Sequence, residues 1–196
     1  MSNLQIIGLA GTNGSGKDTV GQILADHYNY LFISVTELLR TECKRRNLPV
    51  DRENLRAIGN EWRSELGPSV LVDKAVAEYE VVKDKYAGVV MASLRNPGEA
   101  DRVHDMGGTL MWIDADPHTR YDRIQANASI RGRAEEDNKT YEQFLAEEEA
   151  EMHRPEGGSA ATLDGAAVKA RADIFLDNGS SDLVSLQTAI ATALGL

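Results

Sequence analysis

The stretch Gly11-Thr12-Asn13-Gly14-Ser15-Gly16-Lys17 constrains this chain more than any other part of it. It follows a short, nearly continuous apolar run, Leu4 to Ala10, patterned like a strand buried on both faces of a parallel sheet. It precedes a segment from Lys17 to about His27 in which Val20, Ile23, Leu24 and His27 recur at helical spacing. Between a buried strand and a helix, G-x-x-x-x-G-K is a phosphate-binding pattern. Glycines let the backbone curl until successive N–H groups face one anion, the helix N-terminus adds partial positive charge, and Lys17 reaches the β- and γ-phosphates. The predicted phosphate contacts are Gly11, Asn13, Gly14, Ser15, Gly16 and Lys17, with Asp18 and Thr19 in the turn that follows. The G-x-G-x-x-G spacing of a dinucleotide fold is not met, because Gly14 and Gly16 lead to Thr19. The expectation is therefore ATP rather than a nicotinamide cofactor.

Strand and helix signals alternate along the rest of the chain. Tyr30 to Ile33 reads as a second strand, followed by a helix from about Thr36 to Arg46. Asp51 is placed to cap a helix running to about Leu66, Gly67-Pro68 breaks the chain, and Ser69 to Tyr79 continues as helix. Gly88 to Ala92, Thr109 to Ile113 and Ile174 to Leu176 supply three further strands. Asn96-Pro97 and Asp116-Pro117 are matching helix starts, an N-cap followed by proline at the first helical position. Leu183 to Leu194 closes the chain as a helix. From Asn127 to about Gly165 the sequence is polar and charged, with one acidic helix from Tyr141 to Met152, and reads as an exposed flap. The expected fold class is α/β: a P-loop NTPase fold with a central parallel five-stranded sheet flanked by helices.

At 196 residues and 42% hydrophobic, the chain has the material for one sizeable core, and a single domain spanning residues 1–196 is expected. A formal net charge of −10, with no basic block longer than Lys44-Arg45-Arg46, argues against a nucleic-acid polymer as ligand. Cys43 stands alone, and His27, His104, His118 and His153 lack metal-ligand spacing. The first residues show neither a basic start nor a cleavage site, and no apolar run nears the roughly twenty residues a membrane span requires. A cytoplasmic protein with no membrane partner is the expectation, and the sequence says nothing of its oligomeric state.

Other P-loop classes lack their markers. The guanine reader Asn-Lys-x-Asp is not matched, since Asn138-Lys139 continues as Thr140-Tyr141, and there is no Leu-Ser-Gly-Gly transporter signature. Kinases of small molecules remain. Where many P-loops place Ser or Thr directly after the lysine, this chain has Asp18 and then Thr19. In this it resembles adenylate kinases and phage-type deoxynucleoside monophosphate kinases. Asp18 either contacts metal-bound water or favours the helix start as a carboxylate in the first turn. Ile33-Ser34-Val35-Thr36-Glu37-Leu38-Leu39-Arg40 resembles the adenylate kinase segment that carries an acceptor-phosphate arginine, here Arg40. Asn54 to Arg63 looks like the acceptor-binding helix of the deoxynucleoside monophosphate kinases and of uncharacterised archaeal kinases related to dephospho-coenzyme A kinase, which implicates Arg63. Ser93-Leu94-Arg95-Asn96-Pro97-Gly98-Glu99 resembles the Asp-x-Arg-x-x-x-Glu segment of the same families and implicates Arg95, with Ser93 where relatives often have the Mg²⁺-orienting carboxylate. Asp114, at the end of the fourth strand, or Asp18 is the substitute this implies.

The resemblance extends through Asp114 to Ile124, similar to the helix before a kinase lid. It places Arg131 and Arg133 inside the lid, as catalytic charges closing on the γ-phosphate alongside Lys17 and Arg95. Arg120 is instead expected to pair with local carboxylates such as the acidic helix, itself read as a solvated face. Ala172 to Ser180 matches the last strand and turn, implying backbone contacts to adenine around Asn178 and Gly179. The implied organisation is a core of residues 1–36 and 87–196, an acceptor-binding helical insertion near 36–83 and a lid near 127–156. The implied activity is transfer of the ATP γ-phosphoryl group, with Mg²⁺, to a nucleoside or deoxynucleoside monophosphate. A dephospho-coenzyme A kinase-like enzyme, or a regulatory ATPase that only reads ATP, is the alternative.

Overall fold

The computed structural model describes residues 6–128, 138–180 and 182–196. Five strands form one parallel sheet: β1 (Ile6–Gly11), β2 (Tyr30–Ser34), β3 (Gly88–Leu94), β4 (Thr109–Asp114) and β5 (Ile174–Asp177), in the order β2-β3-β1-β4-β5. The helices are α1 (Lys17–Tyr28), α2 (Val35–Arg45), α3 (Arg52–Leu66), α4 (Val70–Val82), α5 (Pro97–Asp105), α6 (Pro117–Asn127), α7 (Tyr141–Met152), the short α8 (Gly165–Lys169) and α9 (Leu183–Leu194). Local chemistry sets most helix starts. The Asp51 carboxylate accepts from Asn54 N, Asp116 from His118 N, and Asn96 and Glu99 form a reciprocal capping box behind Pro97.

The central strands are buried on both faces, as the apolar runs predict. On one face Ala10, Val89, Met91, Leu110 and Trp112 pack beneath α2 to α5 and α8. On the other, Ile7, Leu9, Val90, Met111 and Ile113 meet Val20 and Leu24 of α1 and Leu186 and Ile190 of α9. The chain leaves β1 toward β2 on one side and leaves the adjacent β4 toward β5 on the other, so a crevice opens beyond the carboxyl ends of these two strands. The glycine-rich turn occupies that crevice.

The end of β3 departs from a regular ladder. Leu9 pairs with Ala92 but Ala10 pairs with Leu94, so Ser93 is an extra, bulged residue, and its φ is +74°. A non-glycine residue held left-handed at the carboxyl edge of a central strand is a local strain of about 1 kcal/mol, and the bulge re-aims the backbone just before Arg95. The described part of the expected flap, residues 138–165, also differs from an open, exposed segment. Helix α7 has the predicted bounds, but it lies against the body of the protein with Phe144 buried and Glu147, Glu148 and Glu151 turned inward, while Glu142 and Glu149 stay exposed. The short helix α8 carried no sequence signal strong enough to expect it.

Candidate functional site

The turn between β1 and α1 closes on itself and on three neighbours. Gly14 and Gly16 have φ of +78° and +92°. A Cβ on Gly14 would lie 2.6 Å from the Arg120 carbonyl oxygen, and one on Gly16 would lie 2.3 Å from Asn178 Nδ2. Only glycine satisfies both the conformation and the space. Thr12 Oγ1 donates to Asp114 Oδ1 at 2.8 Å, and Asn178 Nδ2 donates to Ser15 O at 2.8 Å, so the ends of β4 and β5 brace the turn from behind. Gly16 is the N-cap of α1 and makes no side-chain cap bond. Asp18 is exposed in the first turn, where a carboxylate complements the helix dipole.

Lys17 is buried, and its ammonium donates to the Thr12 carbonyl and to Ser15 Oγ at 3.4 Å. Burial is the main reason its pKa falls from the usual lysine value to about 7, and the positive charge of Arg95 lowers it further. The lysine is thus a cation short of compensating charge.

A cavity of about 530 Å³ runs from this turn in two directions. On one side it reaches Arg123, Ile124, Asn178 and Leu183; on the other, Arg40, Arg56, Arg63 and Arg95. Lys17, Asp18, Thr19 and Ser93 lie in its lining, whereas Gly179 and Asp114 do not. Asp114 faces the back of the turn. Besides Thr12 it accepts from Ala115 N at 2.9 Å, with Arg120 Nε at 3.5 Å and Lys169 Nζ at 3.8 Å. Of the two carboxylates expected near a metal, only Asp18 faces the space where phosphates would lie. Among the described residues no group of three or more His, Cys, Asp or Glu is disposed to hold a metal ion. A divalent cation there would rest chiefly on phosphate and water oxygens, with Asp18 and the Ser93 and Thr19 hydroxyls at hand.

The arginines divide by partner. Arg40, largely buried, lies 3.2 Å from Glu37. Arg63 lines the cavity and is also braced from behind: its Nε and Nη2 donate to Glu99 Oε1 at 3.0 and 2.7 Å, and neither side chain is exposed by more than 4%. Arg95 Nη1 donates to Glu151 Oε2 at 2.5 Å. Arg120 pairs with Glu148 and caps the carbonyls of Ala115 and Asn13, the carboxylate pairing expected of it. Arg131 and Arg133 lie outside the described residues.

Sequence reasoning did not single out Arg52 and Arg56, yet both contact Glu151. Their signal was present: Arg52, Arg56, Gly59 and Arg63 follow one another at helical spacing on a single stripe of α3. Arg123 was also missed. It donates to the carbonyls of Asn178 and Ser180 at 2.8 and 2.9 Å, fixing the turn at the far end of the cavity. The Asn178 carbonyl is therefore already engaged, and its backbone N–H is donated to Asp114 O.

A parallel 2-3-1-4-5 sheet with a glycine-rich turn at the end of its central strand defines a P-loop, kinase-like nucleotide-binding domain. The family of AAA domains matches residues 7–151, and the chain belongs to it. It is also a member of the UPF0200 proteins. The UPF0200 protein of Methanocaldococcus jannaschii is 30% identical over 163 residues, covering 81% of this chain and 78% of its relative. That of Pyrococcus abyssi is 28% identical over 163 residues, covering 81% and 84%. Among solved structures, a shikimate kinase from Bacteroides thetaiotaomicron superposes with a TM-score of 0.55 at 16% identity, over 97% of this chain and 98% of its own. A gluconokinase from Sinorhizobium meliloti superposes with a TM-score of 0.52 at 14% identity, over 100% and 94%. At these identities the likeness is one of fold. That fold is the P-loop kinase-like one, and it does not single out the nucleoside monophosphate kinases. No helix among the described residues is long and apolar enough to cross a membrane.

Proposed function

We propose that this protein is an ATP-dependent kinase that transfers the γ-phosphoryl group to a small acceptor bearing an anionic group, a nucleoside or deoxynucleoside monophosphate being the leading class. One observation carries the reading: a single cavity joins the P-loop lysine to a bank of arginines on α2, α3 and the end of β3. A switch that only reads ATP has no need of a second cationic bank facing its phosphates, and direct transfer does. In this assignment the loop amides and Lys17 hold the ATP phosphates. Asn178 and Arg123 shape the end nearest the adenine, and Arg40 and Arg95 orient the acceptor, with Arg63 bracing the helix behind them. Mg²⁺ would neutralise charge between the phosphates. Helices α2 to α4 form the acceptor side, and the segment from about 127 to 156, with Arg131 and Arg133, forms the lid. A phosphate acceptor is already a nucleophile, so no general base is required.

The test is acceptor dependence. ADP release with Mg²⁺-ATP alone should be slow and should rise at least tenfold with one or more members of a panel of monophosphates, deoxymonophosphates, dephospho-coenzyme A, shikimate and gluconate. Equal rates across the whole panel would favour the regulatory ATPase. The last two acceptors enter because proteins named for them share the fold.

The lowered pKa of Lys17 gives a second expectation. An anion beside the ammonium raises its pKa again, so binding ATP takes up a proton wherever the free lysine is partly neutral, that is, above about pH 7. The ATP dissociation constant should then rise with pH, by up to roughly 50-fold between pH 7 and 9 if the bound lysine stays charged. Calorimetry at pH 8 in buffers of different ionisation enthalpy should show uptake of nearly one proton. A binding enthalpy independent of buffer means that the free lysine is already charged.

A further inference from the structure

Helix α7 places three carboxylates, Glu147, Glu148 and Glu151, against cations from four other parts of the fold. Glu151 goes deepest. Its Oε1 lies 2.9 Å from Arg56 Nη2 and 3.2 Å from Arg52 Nη1, and its Oε2 lies 2.5 Å from Arg95 Nη1. The side chain is 15% exposed and lines the same cavity as Lys17. A carboxylate thus sits among three guanidinium groups drawn from two elements, beside the phosphate-binding turn.

We propose that Arg52, Arg56 and Arg95 form a subsite for a phosphate or carboxylate group of the acceptor, and that Glu151 is its internal occupant, displaced when the acceptor binds. The inference rests on the kinase reading for its use of the word acceptor, though the anion subsite can be tested without turnover. Charge balance supports exchange. Three arginines face one carboxylate, and the only other carboxylate on them among the described residues, Glu147 at 2.8 Å from Arg52, is shared with Lys139. A phosphate dianion offers three oxygens and a second charge to the same forks, so it competes well against a single carboxylate. An uncharged polyol offers nothing to displace Glu151, which makes the glutamate a filter for acceptors carrying an anion.

A role for Glu151 as general base is disfavoured. Burial works to raise its pKa, but Arg95, Arg52 and Arg56 outweigh that and hold it at about 2, far too weak to accept a proton from a hydroxyl. A purely structural strut would not need to stand in the main cavity. Glu99, which does serve as a strut, is wholly buried.

The experiment titrates inorganic phosphate, and separately acetate, into the full chain with its P-loop saturated by a non-hydrolysable ATP analogue and Mg²⁺. An internal competitor lowers the apparent affinity by the fraction of time the subsite is open. Glu151→Gln should therefore tighten phosphate or acetate binding roughly tenfold, and Glu151→Asp, which shortens the reach by one methylene, should give a smaller gain. Adding Arg56→Ala to Glu151→Gln should abolish the gain. Whichever anion responds names the group that the subsite takes. Unchanged or weaker binding of both anions in both glutamate variants, a gain that survives the loss of Arg56, or failure of both variants to fold makes Glu151 a strut and overturns the proposal. Anion binding that tightens as described in a protein with no acceptor-stimulated turnover would sink the kinase reading and leave the subsite standing.

Discussion

Replacing Lys17 by Met should lower ATP-dependent turnover by on the order of 10³-fold and weaken ATP binding at least as far as a fluorescent analogue can follow it. The magnitude follows from what the side chain supplies. It is the only ammonium on the turn, and it is buried, so its attraction to a phosphate is little screened by water. Methionine fills similar volume without charge, so stability should hold or improve: a buried lysine whose pKa has fallen to about 7 gains nothing from staying ionised at neutral pH. Arginine should not rescue activity. Its planar fork cannot take the place of a compact ammonium donating at once to the Thr12 carbonyl and Ser15 hydroxyl. A Lys17→Met protein that binds ATP and turns over like the parent would remove the basis of the functional assignment.

The fold was readable wherever a local rule had a single solution. The glycines before Lys17, the caps at Asp51, Asn96 and Asp116, and the doubly apolar strands each met one requirement, and the structure places those elements within a few residues of expectation. What stayed hidden depends on distant partners. The acidic run on α7 has the pattern of a solvated face, because its counter-charges Arg52, Arg56 and Arg95 lie some 50 to 100 residues away in sequence. The same applies to Arg63. Its buried partner Glu99 lies 36 residues later in the chain, and nothing on α3 announces it. The left-handed Ser93 has no sequence mark at all, since serine does not advertise a positive φ as glycine does. Asp114 was legible as a strand-end carboxylate, but which side of the turn it faces was set by the Thr12 hydroxyl that holds it.

The buried pair beneath the arginine bank should be the most costly one to break. Glu99 is wholly buried and takes four hydrogen bonds: two from Arg63, one from Arg95 N at 2.8 Å and one from Asn96 N at 3.1 Å. It therefore neutralises a buried guanidinium and also closes the capping box that starts α5. Glu99→Gln keeps the shape but leaves the Arg63 charge uncompensated, and it turns an amide toward donors that need an acceptor. The expected loss is about 3–5 kcal/mol of folding stability, visible as a large drop in denaturation midpoint. Function should suffer beyond the loss of folded protein. The backbone amides of Arg95 and Asn96 are held by this carboxylate, so in the surviving folded fraction Arg95 is less well fixed and the acceptor KM should rise more than the ATP KM. Replacing both partners, Arg63→Met with Glu99→Gln, removes the orphaned charge and should recover part of the stability but not the acceptor KM. If Glu99→Gln alone melts within about 1 kcal/mol of the parent, the pair contributes little to the fold, and Arg63 is free to serve the acceptor directly.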